Sequence, residues 1–334
     1  VAEEAFAGEA DTITATATTT TFASVVSFDA SDAAPAATVF TKATLHTLEV
    51  HGADLAGAPA IAMAAAAAAP RTLLAWGDSW FHLKHPLSFD DWDLARSLAD
   101  RGWNTQGFAA YSTEGLTLQE MARVARRTGF YRLVHQQKPD AVLIDGGGND
   151  VHRSNFDVPP SDPRYGRSPL HDLAAPAGSL PRLNPQAVAD FVHGQLRRQL
   201  DTVLANLLDV TRGAIPVFVH GYDHPIPDGR TFLFGDKWLD PLNIPQLYTR
   251  AQGTEIMQLL IDELNTMIAA AVQPLAAQGV RHLKLTGTLA AQPGYAANYK
   301  DWWLNELHPT RRGYDVLAAV CDKAISTVLA AAPA

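Results

Sequence analysis

The chain is short of cysteine, with Cys321 the one such residue in 334. No intrachain disulfide can form, so packing and hydrogen bonds must hold the fold, and the compartment stays open. Cys321 stands in Val320-Cys321-Asp322 within a helical pattern, which reads as a packed core thiol. Long apolar runs are missing as well. The Ala-rich stretch 61–69 is too short to cross a bilayer, so no membrane span is expected. An excess of positive charge is also absent. The net charge of −9 argues against nucleic acid or an anionic membrane surface as the main partner. The opening Val1-Ala2-Glu3-Glu4 has neither the basic start nor the apolar middle of a signal peptide. Metal-ligand spacing is lacking too. His82 and His85 form a bare His-x-x-His pair with no acidic or cysteine partner nearby at ligand spacing, so neither metal nor cofactor is expected.

What is present is 47% hydrophobic and 18% charged, a composition that reads as globular and long enough for a sizeable core. Two regions differ in texture. Residues 1–70 are rich in Ala and Thr, as in Thr12-Ile13-Thr14-Ala15-Thr16-Ala17-Thr18. They read as a β-rich or loosely ordered extension, with 37–40 and 45–50 as candidate strands. Residues 71–334 alternate apolar runs with helical periods. Strands are expected at 72–76, 104–110, 141–144, 215–220 and 282–285. Helices are expected at 88–99, from a Thr117-x-x-Glu120 capping box with Leu118, Met121, Val124 and Ala125 on one face, at 185–209 behind an Asn184 cap, at 255–273 and at 314–329. Strands alternating with helices predict a doubly wound, flavodoxin-like α/β fold: a parallel sheet with helices on both faces. Two long stretches without a period, 151–183 and 222–249, are expected to be functional loops.

In such a sheet, ligands gather at the carboxyl ends of the strands. The run Thr72-Leu73-Leu74-Ala75-Trp76 stops at Gly77-Asp78-Ser79, which puts a serine there. Gly, Asp and Ser also favour turns, so the tripeptide alone is equally well explained without chemistry. The loops Glu114-Gly115 and Gly148-Asn149-Asp150 fall at comparable ends, and Asn305-Glu306-Leu307-His308-Pro309 precedes the last helix. Together they supply a hydroxyl nucleophile, amide donors and an imidazole base, the parts needed for acyl transfer.

These motifs, in this order over residues 72–331, resemble the SGNH (GDSL-type) hydrolase superfamily of serine esterases and lipases. The resemblance implies Ser79 as nucleophile and His308 as general base. It implies an oxyanion hole made by the backbone N–H groups of Ser79 and Gly115 and the side chain of Asn149. The reaction would be hydrolysis of a carboxylic ester through an acyl-serine intermediate, without a cofactor. The partner would be a small or polymeric ester, among them short acyl esters, acetylated sugars, lipids and polyesters. The departure is Asn305, where the family usually carries the Asp that orients the histidine. An amide oxygen can accept the imidazole N–H but carries no charge. The expectation is a Ser79–His308 dyad helped by Asn305 or by a main-chain carbonyl, with Glu306, Asp301 and Asp223 as the other carboxylates to place.

Other readings attach to the same residues. His82 and His85 are rival bases. Asp150 reads as a cap on the segment after Asn149. His220 and His224 either line the site or end a strand. Trp80, Phe81 and Trp303 form either an acyl pocket or core. A metallophosphoesterase would use Asp78, Asn149, Asp150, His220 and His308 around two metals. A third reading is a binding protein on a degenerate esterase scaffold, motivated by Asn305.

Overall fold

A computed structural model describes residues 20–24, 40–44, 70–83, 92–154, 159–231, 238–239, 242 and 247–331. The chain divides into two units, Val1–Ala69 and Pro70–Ala334. In the first, β1 (Thr20–Ser24) pairs antiparallel with β2 (Phe40–Thr44), Thr20 opposite Thr44. The second strand runs on from Phe40 rather than ending there, and the rest of the sequence-predicted strands at 12–18, 37–40 and 45–50 lies outside the described residues.

The second unit holds five parallel strands: β3 (Thr72–Trp76), β4 (Asn104–Gln106), β5 (Ala141–Ile144), β6 (Val217–His220) and β7 (Val280–Leu283). Their order is β4-β3-β5-β6-β7. The continuous apolar runs are explained by this arrangement, because β3, β5 and β6 are covered on both faces. The chain leaves β3 towards one side for β4 and returns to its other side for β5. The carboxyl ends of β3 and β5 therefore form the topological switch point, where a doubly wound sheet opens a crevice.

The helices are α1 (Leu94–Ala99), α2 (Phe108–Tyr111), α3 (Leu118–Arg123), α4 (Gly129–Gln137), α5 (Gly148–His152), α6 (Leu170–Leu173), α7 (Pro185–Asp190), α8 (Arg197–Thr211), α9 (Arg250–Val272) and α10 (Arg311–Ala331). The pair α1 and α10 packs together on one face, while α3 and α4 pack on α8 and α8 on α9 on the other. The inward stripe of α8 is Leu200, Val203, Leu204 and Leu207, all buried. Each such side chain contributes about 1.5–3 kcal/mol by leaving water. Among the described residues no helix is long and apolar enough to cross a membrane.

Several boundaries differ from the sequence reading for local reasons. The expected strand 104–110 stops at Gln106 because Gly107 takes φ 82° and starts α2. The expected helix 88–99 is described only from Leu94, and Asp93 is its N-cap, accepting from the Arg96 N–H. The capping box of Thr117 and Glu120 forms as read, but α3 ends at Arg123, and Val124 is extended. Helix α4 was not anticipated. The expected helix 185–209 begins on its Asn184 cap, then widens into a π-helical segment at 191–196 before α8. Helix α9 starts earlier than expected, on a second capping box of Thr249 and Gln252. Strand β7 begins two residues early, after Gly279 at φ 87°. The loop 151–183 carries structure: α6 buries Leu170 and Leu173, and Ala174 bridges to Leu183.

Two glycines mark where strands end against partners. A Cβ at Gly77 would fall inside the Asp145 carboxyl, and one at Gly221 inside the Asn265 amide. Asn265 uses that approach to bind both Tyr222 backbone groups, at 3.1 Å and 3.0 Å. Replacing Gly77 by Ala must push the Asp145 carboxyl away. The expected loss is about 1–3 kcal/mol or more, read from the urea midpoint, since overpacked sites cost about that much. An unchanged midpoint would show that the approach of Asp145 is not a constraint.

Candidate active site

Ser79 lies in the turn that leaves β3, and every neighbour in that turn is fastened. The Gly77 N–H donates to Ser112 Oγ at 2.9 Å. The Asp78 N–H donates to Asp145 Oδ1 at 2.8 Å, across the switch point from the end of β5. Asp78 Oδ1 accepts from the Trp80 N–H at 2.9 Å, and Asp78 Oδ2 accepts from the Tyr222 hydroxyl at 2.7 Å. Burial raises the pKa of both carboxyls, and the charge of Asp78 raises Asp145 further still. His220 closes this layer from behind. Its Nδ1 donates to the Gly221 carbonyl at 2.7 Å, and its ring stands edge-on to Phe81 at 5.1 Å.

Ser79 Oγ lies 2.8 Å from His308 Nε2. Both residues are nearly buried, at 7% and 5% exposure. On the far side of the ring, His308 Nδ1 lies 3.0 Å from Asn305 Oδ1. The same oxygen accepts the backbone N–H of Leu307 at 3.0 Å and of His308 at 2.8 Å. That double acceptance fixes the amide, because an NH2 in that place would face two donors. With oxygen there, Nδ1 must carry the imidazole hydrogen, and Nε2 presents its lone pair to the serine. Asn305 therefore supplies the tautomer that an aspartate would supply, without its charge. Burial, with the charge of His152 as the smaller cause, lowers the His308 pKa to about 3, so the ring is neutral near pH 7.

The other candidate carboxylates are engaged elsewhere. Glu306 accepts the N–H groups of Gly229 at 2.8 Å and Leu239 at 3.2 Å. Asp223 accepts those of Gly287 and Leu289, each at 2.7 Å. Asp301 holds the Asn298 amide at 2.7 Å.

The three residues expected to give oxyanion donors, Ser79, Gly115 and Asn149, line one cavity. Asn149 sits in the first turn of α5, behind Gly147 at φ 102°. One of its amide hydrogens goes to the Leu116 carbonyl at 3.0 Å, which aims the group and leaves the second hydrogen for the cleft it lines. Gly115 takes φ 78°, the left-handed region that favours glycine, and its carbonyl is held by Arg153 at 2.7 Å. Among the described residues, the backbone N–H groups of Ser79 and Gly115 have no acceptor.

The remaining candidates resolve as follows. Asp150 caps α3 rather than its own segment, accepting the Leu118 N–H at 2.8 Å, and burial raises its pKa to about 7. His224 pairs with Asp262 at 2.9 Å. His82 lies against Phe108, and His85 falls outside the described residues. Phe81 and Trp303 are core, whereas Trp80 lines the cleft. Among the described residues no three metal-ligating side chains converge. Three cleft groups escaped the sequence reading: His152, one helical turn beyond Asn149; Tyr222; and Trp238, whose ring is edge-on to His308 at 5.6 Å. The fully buried Asp145, which holds the Asp78 N–H, escaped it too. Asp145 had a visible signal, as a charged residue directly ending an apolar strand. Tyr222 and Trp238 had none.

No family model matches the chain, and no curated protein matches it. Among solved structures it is similar to an extracellular lipase from Streptomyces rimosus, with 17% identity over 76% of this chain and 99% of that one, at a TM-score of 0.43. It is similar to a GDSL-like lipase from Parabacteroides merdae, with 13% identity over 77% and 96%, at 0.45. It is also similar to a catalytic mutant of an acetylxylan esterase from Geobacillus stearothermophilus, with 15% identity over 78% and 95%, at 0.42.

The burial of His308 beside an uncharged Asn305 has a measurable consequence. A folded-state pKa of about 3 against an ordinary 6.5 means the unfolded chain takes up this proton first. The His308 contribution to stability is therefore complete above pH 6.5 and is lost as pH falls towards 3. In an NMR titration the wild-type ring should stay neutral down to about pH 3. Asn305→Asp should move its midpoint up, because a carboxylate favours the imidazolium. An unmoved midpoint in Asn305→Asp would contradict the placement of this side chain.

Proposed function

We propose that this chain is a serine ester hydrolase of the SGNH type, with Ser79 as nucleophile and His308 as general base. One observation carries the reading: a serine oxygen 2.8 Å from an imidazole nitrogen whose tautomer is set by Asn305. The motif order Gly77-Asp78-Ser79, Gly115, Asn149 and His308 supports it.

In this reading Ser79 Oγ attacks the ester carbonyl carbon as its proton passes to His308 Nε2. The carbonyl oxygen becomes an oxyanion facing the Ser79 and Gly115 backbone N–H groups and the free hydrogen of Asn149. The carbon–oxygen bond to the alcohol then breaks, and the alcohol oxygen takes the proton from His308. Water attacks the acyl-serine with the same base, releasing the carboxylic acid and restoring Ser79. Asn305 acts as a positioning residue that keeps Nε2 unprotonated and aimed.

The test is hydrolysis of p-nitrophenyl acetate by the wild type, Ser79→Ala and Asn149→Ala, each with and without EDTA. Ser79→Ala should lower kcat by at least about 10³-fold, as loss of a nucleophile does. Asn149→Ala should cost about 10²–10³-fold in kcat, the usual effect of losing one oxyanion donor. EDTA should change nothing. Activity that survives in Ser79→Ala overturns the assignment.

A further inference from the structure

Two cavities of different character meet at Ser79. They share Ser79, Asn149, His152, Leu307 and His308, and otherwise have separate walls. The first is small, about 40 Å³ open to a water-sized sphere, and its exposed wall is largely apolar. The second is about 430 Å³, and Glu114, Arg153, Ser154 and Trp238 line it. An ester hydrolase must seat an acyl group on one side of its nucleophile and an alcohol on the other. A polar alcohol in the small cavity would lose water without regaining hydrogen bonds, whereas an alkyl group gains by entering it.

We propose that the small cavity is the acyl chamber, and that it limits this enzyme to acetyl-class esters of large, polar alcohols. The proposal rests on the ester-hydrolase reading and deepens it. The size argument is direct. The small cavity has about a tenth of the room of the wide one, about 40 Å³ against about 430 Å³, so the smaller half of the ester seats there. In this proposal an acetyl group fits, and each further methylene meets the walls.

The walls are also stiff. Met257 and Ile261, one turn apart on α9, close the far side and are themselves almost fully buried, at 1% and 3% exposure. Trp80 and Tyr222 stand edge-to-face at 5.2 Å. The Tyr222 hydroxyl is tied to Asp78, and the Trp80 indole N–H donates to the Leu307 carbonyl at 3.1 Å. Neither ring can turn aside for a longer chain without breaking a buried hydrogen bond. The wide cavity is the opposite in character, with a carboxylate, a guanidinium and a hydroxyl in its wall. His152 stands where the two cavities join.

The experiment compares kcat/KM for p-nitrophenyl acetate, propionate, butyrate and octanoate in the wild type, Met257→Ala and Ile261→Val. Each methylene beyond the chamber's capacity should cost about tenfold or more. The wild type should therefore favour acetate over butyrate by about 100-fold. Met257→Ala should raise the butyrate-to-acetate ratio by about tenfold or more. Ile261→Val, the milder change, should raise the propionate-to-acetate ratio by a few-fold if Met257→Ala folds poorly. A second arm compares glucose pentaacetate with ethyl acetate, and the sugar ester should have the higher kcat/KM. Butyrate or octanoate turned over as well as acetate by the wild type overturns the chamber, as do unchanged ratios in both folded variants. Ethyl acetate equal to the sugar ester removes the polar-alcohol half. Ser79-dependent hydrolysis with a flat chain-length profile removes the chamber and leaves the hydrolase. Hydrolysis that does not need Ser79 removes both.

Discussion

The contact between Ser79 Oγ and His308 Nε2 joins residues 229 apart in sequence, and much of the fold exists to hold its two ends. One end is the turn after β3, pinned by Asp145 from the next strand and by the Tyr222 hydroxyl from the strand beyond. The other end is the short segment before α10. There Asn305 folds back on the Leu307 and His308 N–H groups, and the Leu304 N–H donates to the His308 carbonyl at 2.8 Å. Trp80 links the two ends directly through its bond to Leu307. In the proposed reaction a shift of about 1 Å at either end would take the serine out of reach of its base, which is why such geometry is placed on rigid elements.

Asn305 separates two duties that an aspartate performs together. It selects the imidazole tautomer, because its oxygen is fixed by two backbone donors. It gives no net charge to balance the imidazolium that the proposed reaction would form. In serine proteases, replacing the corresponding Asp by Asn costs about 10⁴-fold, chiefly by giving the wrong tautomer. The hydrogen bonds here remove that particular penalty. What remains in the proposed reaction is the cost of charging a buried ring, and the oxyanion that would form beside it in the same step is the opposite charge that offsets it.

The legible part of the fold was its apolar runs and its caps. Ala141-Val142-Leu143-Ile144 reads as a buried strand because nothing polar interrupts it, and the Thr117–Glu120 capping box and the Asn184 cap depend on local side-chain reach. Helix α4 was hidden. Its buried Phe130, Tyr131, Leu133 and Val134 stand among Arg126, Arg127 and Arg132, it starts at a glycine, and Thr128 makes no side-chain cap. In the site, Ser79, Gly115, Asn149, Asn305 and His308 were visible because each lies in a polar loop beside an apolar element. The glycine at 77 could be read as a turn residue but not as the space Asp145 occupies, since that depends on β3 and β5 being neighbours. Met257 and Ile261 look like any two members of a helical apolar stripe. Only their place in the wall of the cavity at Ser79 gives them a different meaning.

The central claim is that Ser79 is a nucleophile activated by His308 without a carboxylate. It is tested most directly by treating the protein at neutral pH with a fluorophosphonate and mapping the adduct by mass spectrometry. The account predicts one adduct, on Ser79, and its loss when His308 is replaced by Ala. No adduct on the wild type, or an adduct on Ser79 that forms equally fast without His308, would contradict it.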